Sequence, residues 1–214
     1  MTRRTRIACF IDGFNLYHAI AKLSRPELKW VNLWKLMETF VDPARHELRV
    51  VFYFSAFATW LPGPYARHQQ YVEALKVAKV IPVLGRFKEK DIYCKNCRNT
   101  FVGHEEKETD VNIALTLIRE AYKNNFDEAF IVSRDSDLIP AMRLLLEDFP
   151  DKSLKIISPP NAGHSKEMGK LVGDKKLASI KPIHLERCLF DSTVTDPDTG
   201  LVLARRPKEY DPRS

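Results

Sequence analysis

Short apolar runs alternate with amphipathic stretches along most of this chain. Arg6–Ile11 is apolar after its first residue and stops at Asp12-Gly13, a buried strand closed by a turn. Helical spacing follows from Asn15 to about Leu23, and Asn32 is placed to cap a second helix over Leu33–Phe40. The β-branched and aromatic run Leu48–Phe54 predicts a strand. After a loop with Trp60 and two prolines, Tyr65–Ala78 predicts an amphipathic helix. Val80–Leu84 predicts a third strand that continues into Gly85-Arg86-Phe87-Lys88. Residues 91–104 are polar and rich in turn formers, which predicts a hairpin insertion. Thr109 then caps a helix reaching about Asn124, with Val111, Ala114, Leu115, Ile118 and Tyr122 as its apolar face. Ala129–Ser133 and Leu154–Ile157 predict strands on either side of a helix over Leu138–Phe149, and His164 to about Leu171 predicts a last helix.

Strands alternating with helices predict an α/β fold, a mostly parallel central sheet with helices on both faces. The 214 residues fit one domain over residues 1–190, followed by a polar, Pro-rich tail over 191–214 that wraps the surface or frays. No segment approaches the roughly 20 apolar residues of a membrane helix. The basic start runs into an apolar stretch too short for a signal peptide, so a cytoplasmic protein without a membrane partner is expected. Nothing in the sequence decides against a homo-oligomer.

The formal net charge of +6 suits a polyanionic partner. Arg3, Arg4 and Arg6, then Arg86, Lys88 and Lys90, then Lys95 and Arg98 supply cations expected to flank a cleft. Phe14, Tyr17, Phe87 and Tyr93 lie among them, the mixture of charge and stacking surface that holds single-stranded RNA.

Acidic residues gather in three blocks: Asp12 with Asn15, Asp110, and Asp135 with Asp137. Asp12 and Asp135 follow strands, and sites in open α/β sheets form at the carboxyl ends of strands. Each block also has a structural reading. Asp12 can cap a helix, Asp110 suits the positive end of a helix dipole, and Asp135 can cap the helix at Leu138. If the blocks converge, like charges share one pocket and call for a divalent cation. In an extended segment Asp135 and Asp137 would point the same way.

The order of these blocks resembles the NYN family of PIN-like nucleases (LabA-like proteins). The residues that carry the resemblance are Phe10-Ile11-Asp12-Gly13-Phe14-Asn15-Leu16, Glu106-Lys107-Glu108-Thr109-Asp110-Val111-Asn112 and Ser133-Arg134-Asp135-Ser136-Asp137-Leu138. It spans Arg6 to about Ile157, with a further echo of the family's ending at Gly200 to Tyr210. The resemblance implies a three-layer, Rossmann-like PIN fold and metal-dependent cleavage of RNA. It assigns Asp12, Asp110, Asp135 and Asp137 as catalytic metal ligands for Mg²⁺ or Mn²⁺. Asn15 matches the polar residue after the first acid, while Arg134 stands where the family usually has Gly. Arg134 and Lys107 join Asn15 as expected substrate contacts. The alternative is a non-catalytic PIN-like module that binds RNA or protein.

Two other chemistries fit less well. A haloacid-dehalogenase-type phosphatase needs an acid two residues after Asp12, where this chain has Phe14, and no GxGxxG follows the first strand. Cys94 and Cys97 have the spacing of half a zinc site, but a closed structural site needs four ligands. His104 is the nearest third candidate, and otherwise Cys9, Cys188, a carboxylate or a second subunit would have to contribute. An exposed, reduced hairpin is the default reading. Cys9 and Cys188 read as buried hydrophobes, and His18, His46, His68, His164 and His184 as surface or packing residues.

Overall fold

The protein is described by a computed structural model covering residues 3–212. Residues 1, 2, 213 and 214, at the ends of the expected domain and tail, lie outside the described residues. A seven-stranded sheet has the order β4-β3-β2-β1-β5-β6-β7. Its strands are β1 (Thr5–Asp12), β2 (His46–Ala56), β3 (Val80–Tyr93), β4 (Thr100–Lys107), β5 (Glu128–Val132), β6 (Ser153–Ser158) and β7 (Leu177–Ser179). Neighbours run parallel except β3 and β4.

Apolar side chains alternate across β1 and fill two cores, as the period of a strand requires. Ile7, Cys9 and Ile11 face α1 (Gly13–Ala21), α2 (Leu33–Glu38) and α3 (Pro62–Val77). Ala8 and Phe10 face α4 (Thr109–Tyr122), α5 (Ile139–Asp148) and α6 (Lys166–Val172). Phe10 stacks on Phe52 at 5.4 Å and meets Phe126 edge-on at 6.0 Å between ring centroids. This is the expected three-layer α/β architecture. Among the described residues, no helix is long and apolar enough to cross a membrane.

Three expectations change. Of the α4 face expected to be apolar, Val111, Leu115 and Tyr122 point outward, 59%, 64% and 74% exposed, while Ala114 and Ile118 are half-buried and Ile118 packs at the edge of the core. The sheet takes Ile113, Leu117 and Ala121 instead, and buries Thr116 and Glu120 beside them. Two apolar stripes share this helix, and strand contact selects the one flanked by polar residues. Glu120 is tolerated there because its carboxylate accepts from Asn125 Nδ2 at 2.6 Å and pairs with Arg119 at 3.0 Å.

The second change concerns the hairpin, which is longer than residues 91–104. Ladder pairs run from Arg86–Lys107 to Tyr93–Thr100, so half of β3 leaves the sheet and returns as β4. The ribbon departs and re-enters at one point, beside the Ala56–Gly85 pair that ends the β2–β3 ladder. A connection whose ends touch can be extended without displacing the next element, so α4 still starts at the carboxyl edge of the sheet.

The third change is at the termini. Arg3, Arg4 and Arg6 lie at the amino edge, because β1 runs away from them toward Asp12. Eight residues of strand separate the two edges by roughly 26 Å. Arg6 is held there by Asp127 at 2.7 Å. The tail is ordered by packing. α7 (Pro182–Glu186) leads into a hairpin of β8 (Thr193–Thr195) and β9 (Val202–Arg205), and Val194, Ala204 and Tyr210 bury against Trp30 and Ala74. Trp30 Nε1 donates to the Asp191 carbonyl at 2.8 Å.

Gly85 is the contact that seats the ribbon. A Cβ added there would lie 2.6 Å from the Lys107 carbonyl oxygen, which is backbone and cannot yield cheaply. Gly85→Ala is expected to cost about 1–3 kcal/mol in chemical denaturation. Gly63→Ala, whose added carbon meets only the tip of the Arg67 side chain at 3.3 Å, should stay within about 0.5 kcal/mol of the parent.

Candidate metal centre and nucleic-acid cleft

The strand order reverses between β1 and β5: the chain builds outward through β2 and β3, then through β6 and β7 on the other side. Loops leaving the two strands part at such a switch point and leave a crevice. Here the crevice is a polar cavity of about 400 Å³ lined by Asp12, Asn15, His18, Lys22, Glu106, Asp110, Arg134, Asp135 and Asn161 among others.

Asp12 ends β1 and is only 5% exposed. Its Oδ1 accepts from the Asn15 N–H at 2.9 Å, so it does cap α1. Its Oδ2 accepts from Ser133 Oγ at 2.9 Å. Burial is the main force on this carboxyl and pushes its pKa up to about 6, with Asp110 and Asp135 adding repulsion and the two hydrogen bonds opposing it. Capping and site membership therefore coincide in one residue.

Asp110 sits in the first turn of α4, in the cavity wall. Its pKa is also raised, first by burial and then by Asp135, Glu106 and Asp137. Thr109 is the first helical residue rather than the cap. Glu108 takes the cap position in a left-handed conformation with φ of 80°. The capping function passes to Glu106, which accepts from both the Thr109 N–H and the Thr109 hydroxyl.

Asp135 caps the 3₁₀ turn Ser136–Leu138, accepting from the Asp137 N–H at 3.0 Å. That turn replaces the extended geometry expected of the pair, so Asp137 lies on the exposed rim, outside the cavity lining. Lys107 is also off the wall, paired with Glu105 at 2.9 Å. Asn15 and Arg134 do line the cavity.

Other residues in and around the cavity complete the site. His18 is exposed, as expected of a surface residue, and also lines the cavity. Asn15, His18 and Lys22 stand three and four positions apart on one side of α1, a helical spacing that is the available signal for a shared wall. Ser133 donates to Asp12 while accepting from the Asp135 N–H at 3.0 Å, and so ties two acidic blocks together. The aromatics form a wall at the ribbon's foot, where Phe14 meets Phe87 at 5.7 Å, Phe87 meets Trp60 at 4.7 Å, and Trp60 stacks on His104 at 3.6 Å.

Carboxylate oxygens are the donors that Mg²⁺ and Mn²⁺ favour, so the residues fit such an ion in kind. Among the described residues, no group of three or more His, Cys, Asp or Glu side chains is gathered closely enough to hold a metal ion. Asp12, Asp110 and Asp135 nonetheless line one cavity.

The raised Asp12 pKa has a consequence for stability. The folded state holds the proton up to about 6, against an ordinary 3.8, so the contribution is fully present below the ordinary value and is lost as pH rises through about 6. In chelator, the unfolding free energy of the parent should fall relative to Asp12→Asn by up to ~3 kcal/mol between about pH 4 and pH 7. Parallel denaturation curves for the two proteins across that range would remove the argument for a strained carboxyl.

None of the curated proteins matches the chain. The crystal structure of a protein of unknown function from Vibrio parahaemolyticus RIMD 2210633 is similar, with a TM-score of 0.60 at 15% identity, covering 89% of this chain and 100% of that one. That likeness concerns the fold. The family model for the NYN domain matches residues 6–163, from β1 through the loop after β6. NYN domains are part of the PIN-like nuclease superfamily, and with all three acidic blocks inside the matched span this chain belongs to the NYN domain family.

Proposed function

We propose that this protein is a metal-dependent ribonuclease acting on single-stranded RNA. The observation that carries the reading is that Asp12, Asp110 and Asp135, from three distant parts of an NYN chain, line one cavity at the switch point of the sheet. These three carboxylates would hold one or two Mg²⁺ or Mn²⁺ ions, with Asp137 adding charge at the rim. When bound, such an ion acidifies water and offsets the charge that builds on the scissile phosphate.

The protein's own residues supply the remainder. Asn15 offers an amide beside Asp12, and Lys22 and Arg134 place cations around the acidic floor. A cleft of mixed sign draws the RNA backbone to its rim while leaving the floor to the metal. The aromatic wall of Phe14, Phe87 and Trp60 gives bases a surface to stack on. The free thiols of Cys9, Cys94, Cys97 and Cys188 agree with a cytoplasmic setting.

The test is cleavage of a labelled single-stranded RNA by purified protein in Mn²⁺, in Mg²⁺ and in EDTA. Cleavage should require the metal, and Asp12→Asn and Asp135→Asn should each lower the rate at least about 100-fold with unchanged circular dichroism. Lys22→Ala and Arg134→Ala should weaken RNA binding and flatten its salt dependence by about one unit each. RNA binding in EDTA with no cleavage in either metal would leave the non-catalytic module standing in its place.

A further inference from the structure

The outer half of the β3–β4 ribbon has no part in the cleft and little core of its own. Ile92, Tyr93, Phe101 and Val102 are all exposed on it. Ile92 faces Phe101 across the ladder, and Tyr93 and Val102 share the opposite surface. A two-stranded ribbon with both faces in water is only marginally stable. Its tip is the turn 94–99, closed by Cys94 N–H to the Asn99 carbonyl at 2.9 Å and Arg98 N–H to the Cys94 carbonyl at 2.8 Å, with Arg98 left-handed at φ of 57°.

Two thiols on a tight turn make half of a tetrahedral zinc site. Among the described residues, the other half is not gathered around this turn. His104 stacks on Trp60 and pairs with Glu89, four ladder steps below Tyr93–Thr100 and so roughly 13 Å down the ribbon. Cys9 and Cys188 are buried in the sheet core. Among the described residues no third His, Cys, Asp or Glu joins the pair.

We propose that Cys94 and Cys97 form half of a structural zinc site that a second copy of this chain completes, joining two ribbons tip to tip. A two-fold axis through the metal supplies an identical pair of thiolates and closes the tetrahedron. Charge complementarity supports the same occupant. A zinc tetrathiolate carries two net negative charges, and Lys95 and Arg98 lie within the turn of each copy to offset them. This site is independent of the nuclease reading and needs no activity for its test.

The experiment is light scattering of the reduced full chain under zinc titration, with bound metal measured on the eluted peak. A dimer holding one zinc per two chains is expected, reverting to monomer in a strong chelator. Co²⁺ in place of zinc should give the visible bands of a tetrahedral tetrathiolate. Cys94→Ser and Cys97→Ser, at an exposed tip, should remain folded monomers with unchanged melting temperature in chelator. One zinc per monomer, no zinc at all, a dimer indifferent to Cys97→Ser, or a pair that only oxidises to a disulfide would each overturn the proposal.

Discussion

A single buried carboxylate sets the terms for this molecule. Asp12 closes the central strand with almost no access to water, and a charge in that position is costly unless donors meet it. The donors come from both sides of the switch point, the Asn15 N–H of α1 and the Ser133 hydroxyl beyond β5. Ser133 then accepts from Asp135, and Asp135 from Asp137, so one chain of hydrogen bonds runs across the carboxyl edge. The loops that line the crevice are thereby fixed by the same group that makes it acidic.

Two donors do not fully compensate the burial, which is why the carboxyl stays above its ordinary range. The crevice also receives Asp110 and Asp135, each of which adds to the repulsion. Repulsion of this kind is a store of binding energy for a cation, since the ion that relieves it gains what the apo protein forgoes. Lys22 and Arg134 bring the opposite sign to the same crevice. They line the same cavity as the acids and form no ion pair with them among the described residues.

The layer order and the acidic blocks are legible in the sequence because both are local. Runs such as Ile7–Ile11 and Ala129–Val132 have to be strands at any position in a sheet, and an Asp after such a run falls at its carboxyl end. What does not read out is relational. Which stripe of α4 meets the sheet depends on how the helix is rolled against β1 and β2, and Val111, Leu115 and Tyr122 match the period as well as Ile113, Leu117 and Ala121 do. Arg3, Arg4 and Arg6 are near Asp12 in sequence but a full strand away in space. Ser133 has no pattern of its own, and its role exists only once β1 and β5 are neighbours. His18 and Lys22 are a different case, since the helical period counted from Asn15 onward is enough to place them on the wall that Asn15 shares.

The ribbon keeps two sets of candidate donors apart. From Gly85 to Tyr93 the strand carries its tip roughly 26 Å beyond the sheet. Hard oxygen donors gather at the sheet edge and soft sulphur donors at the tip, so neither set can borrow a ligand from the other. The foot of the ribbon nonetheless belongs to the cleft, because Glu106 holds the first turn of α4 and Arg86 pairs with Glu108 at 2.6 Å. An unbroken antiparallel ladder joins foot to tip. The foot is thus tied to the acidic edge while the tip stands clear of it.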